Sequence, residues 1–332
     1  MKLKTCSFSL ATALIGFSMP CLAAQPQAVR IEGSSAGLTI SQAAGAEFRR
    51  GHSEVAVSVA LSGSGGALGK FCRGEVDVVH SARPILKAEI EACQKAEVQF
   101  IELPLAFDAL TVVVNPKNGF VQSLTVAELR AMWEEAAQGR VTRWNQINAS
   151  FPDAPLKLLA PDAQFEGSNY FAAAVLGAGK ASRRDYMGSV DDNVLIQGVA
   201  RDVNTLSYLP LATYLENRQK LRAVPIARSP GEKAVAPTAQ TIASGEYQPL
   251  SRPIFLYVSA KSLARPQVAA FAAFYAANAA RLAKNANYVA LTESTYRQGG
   301  ERQCRRVAGS ARNGAVALGL TMQELQKRER KL

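Results

Sequence analysis

Three short segments of this sequence carry the residue types that hold a small oxyanion: Gly33, Ser34 and Ser35; Ser62 to Gly66; and Pro161 to Gly167 followed by Ser168 and Asn169. Each follows a short apolar or β-branched run and precedes apolar residues at helical spacing. Each therefore reads as a strand, a small polar turn and a helix N-terminus. The first N–H groups of a helix lack internal partners and lie at the positive end of its dipole, so a helix start bordered by small residues favours an anion. At any single turn, serine or asparagine is more often an ordinary cap, as Ser168 or Asn169 would be in the third. The threefold recurrence is what points to termini converging on a tetrahedral oxyanion.

Other chemistries fit poorly. The stretch GSGGALGK (63–70) resembles a nucleotide-phosphate loop, but Ser64 stands where its first glycine is required and Phe71 where a Mg²⁺-binding hydroxyl belongs. Leu68 occupies the third glycine position of a dinucleotide fingerprint, so that motif fails as well. A hydrolase needs a nucleophile with a positioned base. Ser35, Ser64 and Ser168 are candidate nucleophiles, but His52 and His80 are the only histidines, and His80 reads as a strand-end residue with a satisfied ring. Widely spaced cysteines and two histidines do not make a metal site, and no cofactor is expected.

The elements that must position the turns follow an α/β pattern. Strands are expected at Val29–Glu32, Val55–Leu61, Val76–Val79 and Leu156–Ala160, with helices from just after Ser35 to about Arg50, from Ala67 and from Tyr170 to Leu176. Two apolar runs, Glu102 to Asn115 and Tyr247 to Val258, read as crossings between lobes. The chain of 332 residues, 48% of them hydrophobic, is long enough for two domains. At the N-terminus, Lys2 and Lys4 precede an apolar stretch from about Phe8 to Phe17, then Pro20 and the small residues Ala23 and Ala24, the layout of a cleaved secretory signal over 1–24. Pro20 directly before Cys21 argues against lipidation there. Removing the leader lowers the formal charge from +11 to +9, which draws anions in general but ranks functions weakly. The tail Lys327, Arg328, Arg330 and Lys331 has no interleaved aromatics and reads as a solvated helix end rather than a nucleic-acid contact. After export, Cys72 and Cys93 can close a short loop with Cys304 unpaired, the alternative being three buried thiols.

The chain resembles the periplasmic phosphate-binding proteins of phosphate ABC transporters, which have the type 2 periplasmic-binding fold. The resemblance rests on IEGSSAGL (31–38), SGSGGALGKFCRGEVDVVHSARPI (62–85), LPLAFDALTVVVNPKN (103–118), LTVAELRAMWEEAAQGRVTRWNQI (124–147), QGVARD (197–202) and PTAQTIASGEYQPLSRPIFLYV (237–258). It implies an α/β protein of two lobes, each a sheet flanked by helices: residues 25–108 and 249–332 form a discontinuous lobe one and 109–248 an inserted lobe two. It implies a monomeric, non-enzymatic protein of the periplasm that captures phosphate or a related oxyanion and releases it to an ABC transporter permease.

Roles carry over position by position. Ser35 remains at the first turn while Ala36 replaces the usual threonine, leaving the amides of Ala36, Gly37 and Leu38 as donors. Ser64 and Gly65 match the second turn, and Ser81 and Arg83 match a Ser-Arg-Pro branch of the family, which would let Arg83 fork onto the anion, the alternative for Arg83 being a surface ion pair. The third turn departs most: Gly167 and Ser168 replace the usual pair in a shifted register, and Glu166 there repels a dianion while suiting a ligand that brings a hydrogen to donate. These departures motivate the alternative function, a degenerate binding fold acting as sensor or interaction protein.

Overall fold

The computed structural model describes residues 27–163, 165–311, 313–314 and 318–330; the expected leader over 1–24 lies outside these. Eleven strands and eleven helices are described. The first half holds β1 (Gln27–Gly33), α1 (Ser35–Gly51), β2 (Val55–Leu61), α2 (Gly63–Cys72), β3 (Val78–Ser81), α3 (Lys87–Lys95), β4 (Phe100–Val114), β5 (Leu124–Thr125) and α4 (Val126–Trp133). Next come β6 (Lys157–Pro161), α5 (Glu166–Val175), β7 (Met187–Ser189), α6 (Asp192–Arg201), β8 (Thr205–Pro210) and α7 (Leu211–Glu216). The chain continues through β9 (Arg222–Ala223), β10 (Ile226–Ala227), α8 (Ala239–Ala243), β11 (Ser251–Ser259), α9 (Pro266–Asn285), α10 (Glu293–Arg305) and α11 (Met322–Glu329).

Nine strands join one sheet in the order β2-β1-β3-β11-β4-β8-β6-β7, with β9 also on β4, while β5 and β10 form a separate pair. β1 is parallel to β2 and β3, with Ile31 opposite both Val59 and Val78. β11 runs antiparallel to β3 and to β4. β4 is fifteen residues long and buried throughout. It pairs with β11 from Phe100 to Ala109, then with β8 from Leu110 to Val114. One continuous strand thus belongs to two groups of strands, which explains why its sequence is apolar on both faces rather than alternating.

Apolar side chains at helical spacing dock the helices. Ile40, Ala44 and Phe48 of α1 pack with Val29 and Ile31 of β1 and with Phe271 and Tyr275 of α9. A second cluster runs from Phe71 and Phe255 through Phe107 and Leu110 to Trp133, Phe171 and Tyr208, so both strand groups share it. Within it Phe171 of α5 stacks on Tyr208 of β8 at 3.9 Å, and the Trp133 indole meets Phe171 edge-on at 5.5 Å. These aromatic contacts fix the position of α5.

Cys72 at the end of α2 is disulfide-bonded to Cys93 of α3, and Cys304 is free and exposed. The basic residues Lys327 and Arg328 lie exposed in the last turn of α11. Among the described residues no helix is long and apolar enough to cross a membrane.

Several boundaries differ from expectation. β3 starts at Val78 rather than Val76, α2 starts at Gly63 rather than Ala67, and β11 starts at Ser251 rather than Tyr247. The third helix begins at Glu166, with Phe165 at the cap position and no side-chain cap, so neither Ser168 nor Asn169 caps it. Ser168 instead lies inside the first turn and donates from Oγ to the Pro161 carbonyl at 2.8 Å.

Candidate functional site

The three turns lie at strand ends. After β1, the Ser34 N–H donates to the His80 carbonyl at 3.0 Å, and Ser34 Oγ caps α1 by accepting from the Gly37 N–H at 3.3 Å. His80 is fully buried, its Nε2 3.0 Å from the Ser34 carbonyl and its Nδ1 3.0 Å from Ser41 Oγ, which in turn contacts the Tyr275 hydroxyl at 2.9 Å. Burial holds the imidazole well below its usual value, at about 4, so it is neutral at neutral pH. The approach is close: a β-carbon on Gly37 would stand 2.6 Å from His80 Cδ2. His80 is a satisfied structural residue, as its strand-end position suggested.

At the second turn Ser64, buried at the start of α2, accepts from the Ala82 N–H at 3.1 Å. Its hydroxyl hydrogen stays available to donate. After β3, Ser81 Oγ donates to the Arg83 carbonyl at 2.6 Å, which shapes the bend into Arg83. The Arg83 guanidinium forks onto Glu89, Nη1 to Oε2 at 2.8 Å and Nη2 to Oε1 at 2.6 Å. Glu89 Oε2 also accepts from the Leu86 N–H at 2.8 Å, closing the start of α3.

Sequence reasoning missed Arg252. It is 2% exposed, lies opposite Asp108 in the β11–β4 register, and donates from Nε and Nη2 to Asp108 Oδ2 at 3.2 and 3.0 Å. Its Nη1 and Asp108 Oδ1 are buried without a partner among the described residues. The guanidinium also covers the Tyr170 ring at 5.2 Å, and the Tyr170 hydroxyl donates to the Pro249 carbonyl at 2.9 Å. Burial disfavours charge on Arg252, but Asp108 and Glu166 more than restore it. Burial pushes the Asp108 carboxyl above its usual range, and Arg252 offsets this in part.

Two cavities meet at Arg252. One, of about 390 Å³, is bordered by Gly63, Ser64 and Gly65 at the start of α2, by Arg83, and by Glu166 and Asn169 at the start of α5. The other, of about 470 Å³, is bordered by Ser35 and Ala36 at the start of α1, by Gly167, and by Asp191 and Asp192. The N-termini of α1, α2 and α5 therefore open onto spaces that share Arg252. Of the residues expected from sequence, Ser35, Ala36, Ser64, Gly65, Arg83 and Gly167 line these cavities, while Gly37, Leu38, Ser81 and Ser168 are not part of either lining. Gly37 and Ser168 hold the first and third turns in shape, and Ser81 supports Arg83. Glu166 faces inward: both carboxylate oxygens are buried without a hydrogen-bond partner among the described residues.

The charge count decides what fits. At the first cavity two guanidiniums, Arg83 paired with Glu89 and Arg252 paired with Asp108, meet the unpaired carboxylate of Glu166, while Asp191, Asp192 and Glu216 border the second. An anion entering the first cavity beside Arg252 finds the α2 and α5 N-termini, the Ser64 hydroxyl and an uncommitted guanidinium edge as donors, and the lone Glu166 carboxylate as acceptor. That set favours an oxyanion that still carries a hydrogen.

Similarity to known proteins is extensive. A family model described as a PBP superfamily domain matches residues 23–279. The chain is 39% identical to the protein SphX of Synechocystis over 321 residues, covering 96% of this chain and 95% of that protein. It is 29% identical to the phosphate-binding protein PstS of Staphylococcus aureus over 267 residues, covering 80% and 79%. Among solved structures, a possible phosphate binding protein from Planctomyces limnophilus is 36% identical with a TM-score of 0.69, over 84% of this chain and 98% of that one. An ABC-type phosphate transport receptor from Vibrio cholerae, 21% identical with a TM-score of 0.64 over 79% and 99% of the two chains, shares the fold.

Proposed function

The chain belongs to the PBP superfamily, with the type 2 periplasmic-binding fold, and we propose that it captures inorganic phosphate in the cleft at Arg252 for delivery to an ABC transporter permease. The observation that carries this reading is the uncommitted, buried Nη1 of Arg252, the residue shared by the two cavities onto which the N-termini of α1, α2 and α5 open. A buried guanidinium edge without an acceptor is costly unless a ligand supplies one. Relatives named as phosphate-binding proteins support phosphate as that ligand.

In this reading residues 25–108 and 249–332 form one lobe and 109–248 the other, with β4 and β11 as the crossings. Arg83, Ser64 and the α1 and α2 amides approach the anion from the first lobe; Gly167, the α5 amides and Glu166 approach from the second. Arg252 lies in a crossing, between them. Glu166 accepts the hydrogen of monohydrogen or dihydrogen phosphate and repels fully ionised sulfate, which brings no hydrogen. The leader-like N-terminus and the disulfide support a periplasmic location, and we take the protein to act as a monomeric binder rather than a catalyst.

Isothermal titration of the protein, freed of bound anion by partial unfolding and refolding, tests the proposal. Stoichiometric binding of phosphate with sulfate at least ~100-fold weaker is expected. In Glu166→Gln, sulfate affinity should rise at least ~10-fold, since the repelling carboxylate becomes an amide that can donate. No heat and no thermal stabilisation with phosphate would sink the reading.

A further inference from the structure

The 390 Å³ cavity is larger than an inorganic oxyanion requires. It has room for about thirteen waters at ~30 Å³ each, and it falls within the range of small-molecule pockets. Its lining is also graded. Glu166, Asn169, Tyr170 and Ala173 border it from α5, spaced so that they share one helix face. From Glu166 to Ala173 that face runs seven residues, about 10 Å at the rise of an α-helix.

The polar end lies at the α5 N-terminus, where Glu166 and Arg252 stand. Beyond it the character changes to the Tyr170 ring and Ala173, and the other apolar contributors are Pro84, Leu86, Pro253 and Leu318. An anion seated at Arg252, over the Tyr170 ring, thus leaves the stretch from Tyr170 to Ala173, about 4.5 Å of helix, bordering an apolar space that no part of phosphate can fill.

We infer that this space takes the substituent of a monosubstituted phosphoryl compound, R–PO₃ or R–O–PO₃, with R a small apolar group lying along α5 toward Ala173. The inference rests on the anion site proposed above and extends its ligand class from inorganic phosphate to organophosphonates or phosphate monoesters. It needs no chemical step: the phosphoryl oxygens keep the donors described for phosphate, and the substituent takes the place of one oxygen or extends from it. Burying R against Tyr170, Ala173, Leu86 and Leu318 then adds apolar contact to the charged contacts.

The test titrates the anion-free protein with inorganic phosphate, methylphosphonate, phenylphosphonate and phenyl phosphate, and repeats the series with Ala173→Phe, which fills the apolar end. We expect phenylphosphonate or phenyl phosphate to bind within about tenfold of phosphate and more tightly than methylphosphonate. Their affinity should fall at least about tenfold in Ala173→Phe while phosphate binding holds. The two phenyl ligands separate a carbon–phosphorus compound from an ester. Phosphate binding with every substituted ligand weaker by about a thousandfold or more overturns the inference and leaves the phosphate reading intact. So does unchanged phenyl affinity in the variant. Binding of the phenyl ligands without phosphate upholds the inference and removes phosphate as the ligand, and binding of neither overturns both. The wild-type ranking decides even if the variant folds poorly.

Discussion

At the scale of single residues, Arg252 and Asp108 carry structure and, in the proposed function, binding together. Each is a charged residue in a largely apolar run, and their pairing brings 144 residues of sequence separation to a contact of 3.0 Å. Removing only the arginine leaves an uncompensated buried carboxylate, so Arg252→Leu should cost roughly 3–5 kcal/mol in urea unfolding. Replacing both, as Asp108→Leu with Arg252→Leu, should recover most of that stability yet leave phosphate binding at least ~100-fold weaker in titration. A single variant that loses under about 1 kcal/mol would show that the pair is not the buried unit described. The sequence held a signal for this pair, an acid beyond Glu102 in one long apolar run and a single arginine in the other. Its meaning depended on strand register, which no local pattern specifies. Arg83 stood out because it follows a strand end, with an ion pair as the alternative to a ligand role; in the structure it forms the ion pair, with Glu89, and also lines the cavity.

Among the elements, β2 and α1 were readable because alternation and helical spacing agree with glycine and serine punctuation. The third helix was misread by a few residues because it begins on Glu166 after an aromatic, without the polar side-chain cap that sequence reasoning looks for. The cost of that error was local. It turned Ser168 from a cap into a donor to the Pro161 carbonyl, whereas Glu166, weighed in the sequence as aimed either into the pocket or to solvent, faces inward. The clamp between β3 and the start of α1 belongs to this scale as well, because His80 ties two elements through Ser34 and Ser41. Its folded value of about 4 lies below the ordinary 6.5, so the neutral ring is the one that stabilises the fold. That contribution is complete above pH 6.5, declines as pH falls through the window and is gone below about 4. Over this window it amounts to roughly 3 kcal/mol, at ~1.4 kcal/mol per pH unit. NMR titration of His80 should find the ring neutral down to about pH 4; an inflection near 6.5 would contradict the clamp.

For the whole molecule, the proposed site, with donors from three helix N-termini, is completed only when the groups carrying α1, α2 and α5 approach one anion together. The two crossings are the natural place for that motion to concentrate. Small-angle scattering should therefore show a smaller radius of gyration with saturating phosphate than without it, and the change should be lost in the Asp108→Leu, Arg252→Leu double variant. Identical wild-type scattering in both states would rule out closure. The long β4 strand bears on how such a molecule can be taken apart. Because residues 100–109 finish one group of strands and 110–114 begin the next, a cut near residue 109 strips pairing partners from both fragments. Each piece is left with a raw hydrophobic edge of the kind that recruits other chains. Chimaeras that exchange the 109–248 segment with a relative must then inherit β4 and β11 from the same parent, or they will accumulate as aggregates before any ligand can be offered.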